Sequence, residues 1–157
     1  MRKKRVAVYV RQTKDKSSSY LSAKQHYVNS VKNRKEWLFS GIYVDKRKCY
    51  SQLDLLLEEC KKGKIDMILT QSVTRFGRNI VDTVETAREL SNLNPPVAVQ
   101  FDIQNINTLD EKTKPELANI CMDAEMKRQQ RSEVQKWVRN KKAELLRMQE
   151  EGVCANA

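Results

Sequence analysis

The chain has 157 residues, with 30 Lys and Arg against 20 Asp and Glu, for a formal net charge of +10. That is the size of one ordinary domain with an appended helix, and the cation surplus points to a polyanionic partner, most simply nucleic acid. No stretch is long enough to span a bilayer, no broad apolar helix face marks a membrane-surface protein, and the apolar run behind Met1-Arg2-Lys3-Lys4-Arg5 is too short for a signal peptide. A soluble, cytoplasmic protein with no membrane partner is expected.

Val6-Ala7-Val8-Tyr9-Val10 is a continuous apolar run of the kind that forms a parallel strand covered on both faces. A polar loop, Gln12 to Ser19, follows, and Ser22 is positioned to cap a helix running to about Lys35. The one histidine, His26, falls inside that helix and reads as a surface or packing residue. Trp37 to Val44 predicts a second strand. Ser51 is a candidate cap for the next helix, on which Leu53, Leu56, Leu57 and Cys60 recur at helical spacing, and Gly63 is placed to end it. Ile65 to Thr70 predicts a third strand, Ile80 to Leu93 a third helix, and Val97 to Phe101, after Pro95-Pro96, a fourth strand.

This order predicts an α/β fold: a mostly parallel four- to five-stranded sheet with helices on both faces, over residues 1–112. From Lys114 the pattern changes. Pro115 suits a first helical turn, and no glycine or proline follows until Gly152. A long C-terminal helix over 113–150, about 50 Å at 1.5 Å per residue, is expected, with a frayed tail over 151–157. Between Lys127 and Arg147 it carries Lys127, Arg128, Arg131, Lys136, Arg139, Lys141, Lys142 and Arg147 against Glu133 and Glu144. Solvated helices usually mix charges, so a surplus of one sign favours nucleic acid contact, with Lys136, Arg139, Lys141 and Lys142 as candidate DNA-binding residues.

The densest chemical signal is Ser72-Val73-Thr74-Arg75-Phe76-Gly77-Arg78-Asn79, between the third strand and the third helix. Two guanidiniums three residues apart at a helix start make a clamp for phosphate oxygens, because arginine presents a fixed fork of donors and the helix adds free N–H groups. Ligands of parallel sheets bind at the carboxyl ends of the strands, which brings Arg11 to the same edge as Arg75 and Arg78. Cys49, Cys60, Cys121 and Cys154 have no metal-ligand spacing, so neither a metal site nor a cofactor is expected.

These residues resemble the serine recombinases, the resolvase/invertase family, and are closest to its large serine and transposon-type members. Tyr9-Val10-Arg11-Gln12-Thr13 is similar to the opening Tyr-x-Arg-x-Ser motif. Gln25 falls at the glutamine of a second motif, Tyr43-Val44-Asp45 at a strand ending, and Lys61 to Asp66 at the lead into the third strand. Arg75-Phe76-Gly77-Arg78-Asn79 matches Arg-Leu/Phe-x-Arg-Asn, and Asn105 to Thr108 resembles the segment before the long helix. The resemblance covers about residues 4 to 145. It implies a site-specific DNA recombinase domain in which a hydroxyl at position 13 attacks the scissile phosphodiester, while Arg11, Arg75 and Arg78 stabilise the charged transition state without a metal. Tyr9, Gln25, Thr74 and Asn79 are the implied supporting residues. It implies a homodimer formed through the long helix, a tetramer when assembled on DNA, and a separate DNA-binding domain beyond that helix.

The chain departs from the pattern. Thr13 stands where the family has its serine, and the extra methyl stiffens the side chain against in-line attack. Thr74 replaces a common aspartate, Tyr50 aligns with a family arginine after a shortened Lys46–Cys49 loop, and Lys127 replaces a glutamate unless Glu125 takes that role. These departures raise the alternative of a catalytically degenerate relative that binds DNA or a partner recombinase without cutting. A flavodoxin-like signalling module would need an acidic residue where Arg11 stands.

Overall fold

The computed structural model describes residues 2–12 and 17–155, with side chains for 2–12 and 21–152. In chain order the elements are β1 (Lys4–Gln12), α1 (Ser17–Lys32), β2 (Trp37–Lys46), α2 (Ser51–Lys61), β3 (Met67–Thr70), a single 3₁₀ turn (Val73–Arg75), α3 (Ile80–Ser91), β4 (Ala98–Phe101), β5 (Ile106–Asn107) and α4 (Lys114–Ala155). The sheet order is β2-β1-β3-β4-β5, parallel except for the β4–β5 pair. The chain divides into two compact units, Met1–Cys121 and Met122–Ala157.

Alternation along β1 builds two cores from one apolar run, because successive side chains leave opposite faces of a strand. Val6, Val8 and Val10 pack with Met67, Leu69 and Ala98 against Tyr27 and Val31 of α1. Ala7 and Tyr9 pack with Ile68, Val99 and Phe101 against Leu53, Leu56 and Cys60 of α2, Leu90 of α3 and Leu117 at the start of α4. Helices therefore cover both faces, as expected of a buried parallel sheet. Burial pushes the Cys60 thiol up to about 12, so it serves as a small apolar core residue.

Three local expectations are corrected. α1 begins at Ser17 and not behind a Ser22 cap, and it ends at Lys32 and not near Lys35. Serine preference alone does not discriminate among Ser17, Ser18, Ser19 and Ser22, all close together. Ser51 is the first residue of α2 rather than its cap: Tyr50 stands at the N-cap and makes no side-chain capping bond. Asp45 performs the capping, from the end of β2. Gly63 ends α2 as anticipated, at φ 74°. Its N–H bonds to the Cys60 carbonyl and that of Lys64 to the Glu59 carbonyl, the paired bonds of a Schellman motif.

The topology fixes where a ligand can sit. From β1 the sheet grows to β2 on one side and to β3 on the other, so the strand order switches direction between β1 and β3. Such a switch point opens a crevice in parallel sheets. Arg11, the penultimate residue of β1, lies there, and Ser72 to Asn79 leave β3 there.

Candidate active site at the sheet switch point

Arg11 lies on the same face of β1 as Tyr9 and is only 8% exposed. Its terminal nitrogen donates to the Tyr9 hydroxyl at 2.9 Å, and that hydroxyl donates to Asp45 Oδ2 at 2.9 Å. Asp45 is buried and also accepts from the backbone N–H groups of Gln52 and Leu53, each at 3.0 Å. The carboxylate thus satisfies two of the orphan donors at the start of α2 and sits at its positive dipole end. Burial raises the Tyr9 phenol well above its usual range, with Asp45 adding to the rise and Arg11 opposing it. Tyr9 is therefore a neutral relay at any physiological pH. Burial disfavours the charge on Arg11, but the hydrogen bond to Tyr9 and the adjacent Tyr50 more than offset this and raise its pKa.

Tyr50 closes the arrangement. The Arg11 guanidinium carbon lies 3.9 Å from the centre of the Tyr50 ring, and that of Arg78 lies 5.3 Å from the same ring. Among the described residues neither guanidinium forms an ion pair. Two permanent cations are thus held at one aromatic ring without a carboxylate to neutralise them.

The segment that delivers Arg78 is fixed by close packing. A Cβ on Gly77 would lie 2.6 Å from Thr83 Oγ1 and 2.9 Å from both Asp82 Oδ2 and the Thr83 nitrogen. No larger residue fits, so the turn presses directly onto the start of α3. Asn79 caps α3 by accepting from the Asp82 N–H at 2.8 Å, and Asp82 Oδ2 returns a bond to the Arg78 N–H at 2.9 Å. Phe76, fully buried, stacks edge-on to Tyr9 at 6.0 Å and to Phe101 at 5.8 Å.

The structure brings together Tyr9, Arg11 and Arg78 from the sequence expectations. Arg75 lies in the same post-β3 segment and is half-buried. Its charge is felt at Tyr27, where it opposes a pKa pushed up to about 12 by burial and by Asp102. Thr74 is exposed and bonds through its hydroxyl to Ser72 at 3.1 Å. Gln25 is exposed on α1 and donates to Asn29 one turn on. Asn79 is a helix cap. His26 is exposed on α1, edge-on to Tyr27 at 5.0 Å. Thr13 lies outside the described residues. Lys136, Arg139, Lys141 and Lys142 are all exposed on α4, and Lys141 pairs with Glu144 at 2.9 Å. Two residues were not read from the sequence as members of the site, Asp45 and Tyr50. Both enter the sequence reading only through the resemblance, Asp45 in a strand-ending motif and Tyr50 opposite a family arginine; their spacing alone, an acid five residues before an aromatic helix start, is no generic signal.

Against this geometry the comparisons are direct. The family described as "Resolvase, N terminal domain" matches residues 6–148. The chain belongs to the resolvase family. It is a site-specific serine recombinase domain. The N-terminal catalytic domain of TP901-1 integrase shares its fold, with a TM-score of 0.59 and 17% identity over 80% of this chain and 98% of that one. So does a resolvase-family site-specific recombinase from Streptococcus pneumoniae, with a TM-score of 0.63 and 22% identity over 83% of this chain and 95% of that one. A search of curated proteins returns no match. In the recombinase domain α4 is the long helix that the sequence led one to expect.

Proposed function

We propose that this recombinase domain cuts and rejoins DNA through a covalent link to Thr13, with Arg11 and Arg78 holding the scissile phosphate and Arg75 assisting. The observation that carries this reading is the pair of guanidiniums on Tyr50, unpaired with any described carboxylate. Buried side-chain atoms at the same strand ends, Arg11 Nε, Thr70 Oγ1 and Gln71 Oε1, have no hydrogen-bond partner among the described residues. Buried polar groups left unpaired are costly, and a phosphodiester oxygen at this edge is the natural acceptor for the two donors among them, the Arg11 Nε–H and the Thr70 hydroxyl. The Thr13 oxygen forms a bond to phosphorus, the bond to the 3′ oxygen breaks, and that oxygen leaves as a 3′-OH. Attack by a 3′-OH on the same phosphorus then reseals a strand and releases Thr13. The guanidiniums stabilise the charge that builds on the phosphoryl oxygens in each step.

Lys136, Arg139, Lys141 and Lys142 serve as phosphate contacts that position the duplex without reading its sequence. Exposed Val134, Trp137, Val138, Leu145 and Leu146 on the same helix support a homodimer through α4; assembly into a tetramer on DNA is part of the same proposal. No described helix is long and apolar enough to cross a membrane, which agrees with action in the cytoplasm.

The test is covalent capture on a nicked duplex, comparing the native chain with Thr13→Ser and Thr13→Ala. An adduct with the native and Ser chains, and none with Ala, supports Thr13 as nucleophile. An adduct with Ser alone overturns it and leaves a chain that retains the scaffold without the reaction.

A further inference from the structure

Tyr50 is more than a neighbour of the two arginines. It stands at the N-cap of α2, yet its side chain does not cap; the ring instead packs against the core cluster and is half-buried. The start of α2 that carries it is tied to Asp45, Asp45 to Tyr9, and Tyr9 to Arg11. Arg11 in turn lies over the Tyr50 ring at 3.9 Å. This is a closed circuit from β1 through β2 and α2 back to β1. Arg78 enters it from a separate segment, pinned by the Gly77 contact and the Asp82 bond, and meets the same ring at 5.3 Å.

We infer that Tyr50 is the positioning residue of the phosphate clamp: its ring sets the separation and attitude of Arg11 and Arg78, and through them the anion they hold. This rests on the reading of Arg11 and Arg78 as that clamp. The physical reason is charge. Two guanidiniums brought close repel each other, and the electron-rich face of an aromatic ring attracts each of them within about 6 Å. An uncharged ring therefore assembles the pair without adding a carboxylate, which would compete with phosphate. It also adds no third cation. Where the family pattern has an arginine that can itself touch phosphate, this chain has a residue that acts through two others.

The experiment uses the full chain, its Tyr50→Phe and Tyr50→Leu variants, and inorganic phosphate as probe. In the native chain and in Tyr50→Phe, the side-chain Nε–H resonances of Arg11 and Arg78 are both expected to be shifted by the ring, and phosphate affinity is expected to agree within about twofold. In Tyr50→Leu both shifts disappear and phosphate affinity falls about tenfold. A leucine variant with native amide dispersion and undiminished phosphate affinity would overturn the inference while leaving the clamp intact. Native Arg11 and Arg78 resonances free of any ring shift would overturn it even if the leucine chain did not fold. Loss of phosphate affinity in Arg11→Ala and Arg78→Ala alike is expected. Native protein that ignores phosphate, with both ring shifts present, sinks the clamp itself and keeps the ring's hold on the arginines.

Discussion

Charge is organised in opposite ways at the carboxyl edge of the sheet and along α4 from Met122 onward. At the sheet edge, Arg11 is buried, oriented by a hydroxyl, stacked on a ring and backed by a carboxylate that also caps a helix. Along the second unit, bases stand exposed, and their ties are short-range helix pairs such as Lys127–Asp123, Arg128–Glu125 and Lys141–Glu144. Such exposed pairs contribute only about 0.3–0.5 kcal/mol each. The first arrangement ties a few charges to neighbours at the sheet edge; the second spreads many charges along a helix. Chemistry on one phosphorus atom needs the first, and holding a polyanion needs only the second.

The largest expected effect that would break this contrast is at Arg11. Arg11→Ala should reduce the rate of covalent adduct formation on a nicked duplex by about 10² to 10³, with duplex affinity largely kept. A change of less than threefold would mean that the buried guanidinium is structural. Next comes Asp45→Ala, which removes a buried acceptor of three bonds at once. It should lower unfolding free energy by roughly 3 kcal/mol in urea titrations, whereas Glu144→Ala on α4 should change it by less than about 0.5 kcal/mol. Similar losses at both sites would dissolve the distinction between the regions.

Gly77→Ala should cost about 1–3 kcal/mol through its clash with Thr83 and Asp82, and should also slow adduct formation because the clash displaces Arg78. Replacing Arg139, Lys141 and Lys142 by Gln should weaken binding to all duplexes alike and reduce the salt slope of log affinity by about three, leaving thermal stability unchanged. A sequence-selective loss would assign base contacts to these residues.

The smallest expected effect is a pH dependence at the far end of β1. Arg5 grips Asp66 with bonds of 2.8, 3.0 and 2.9 Å, and the Arg5 side chain holds the carboxyl below its ordinary value. A carboxylate whose pKa is lower in the folded state stabilises the fold above its unfolded value, near pH 4, and loses that contribution as pH falls through the folded value. The stability gap between the native chain and Asp66→Asn at pH 7 should therefore narrow as pH falls below the unfolded carboxylate value, about 4. A constant gap would show that the pair contributes nothing through its charge.

Much of this molecule was legible residue by residue. The apolar run at Val6–Val10 announced a doubly covered strand and Gly63 announced a helix end. Those signals are local, set by backbone periodicity and by residues with restricted or permissive dihedrals. The two-residue β5 and the true start of α1 were not legible, since short strands and serine-rich turns carry no distinctive pattern.

What the sequence by itself determined was the kind of chain this is: an alternating α/β domain with a long basic helix, and with Arg11 and Arg78 close behind strand ends. What only the tertiary structure decided was who holds those arginines. Asp45 caps a helix that begins after the next loop, Tyr9 relays between Asp45 and Arg11, and Tyr50 gathers guanidiniums from two distant segments. Partnerships of this kind depend on where strands end in space and on which groups burial leaves in need of a partner, and neither quantity exists until the sheet has formed.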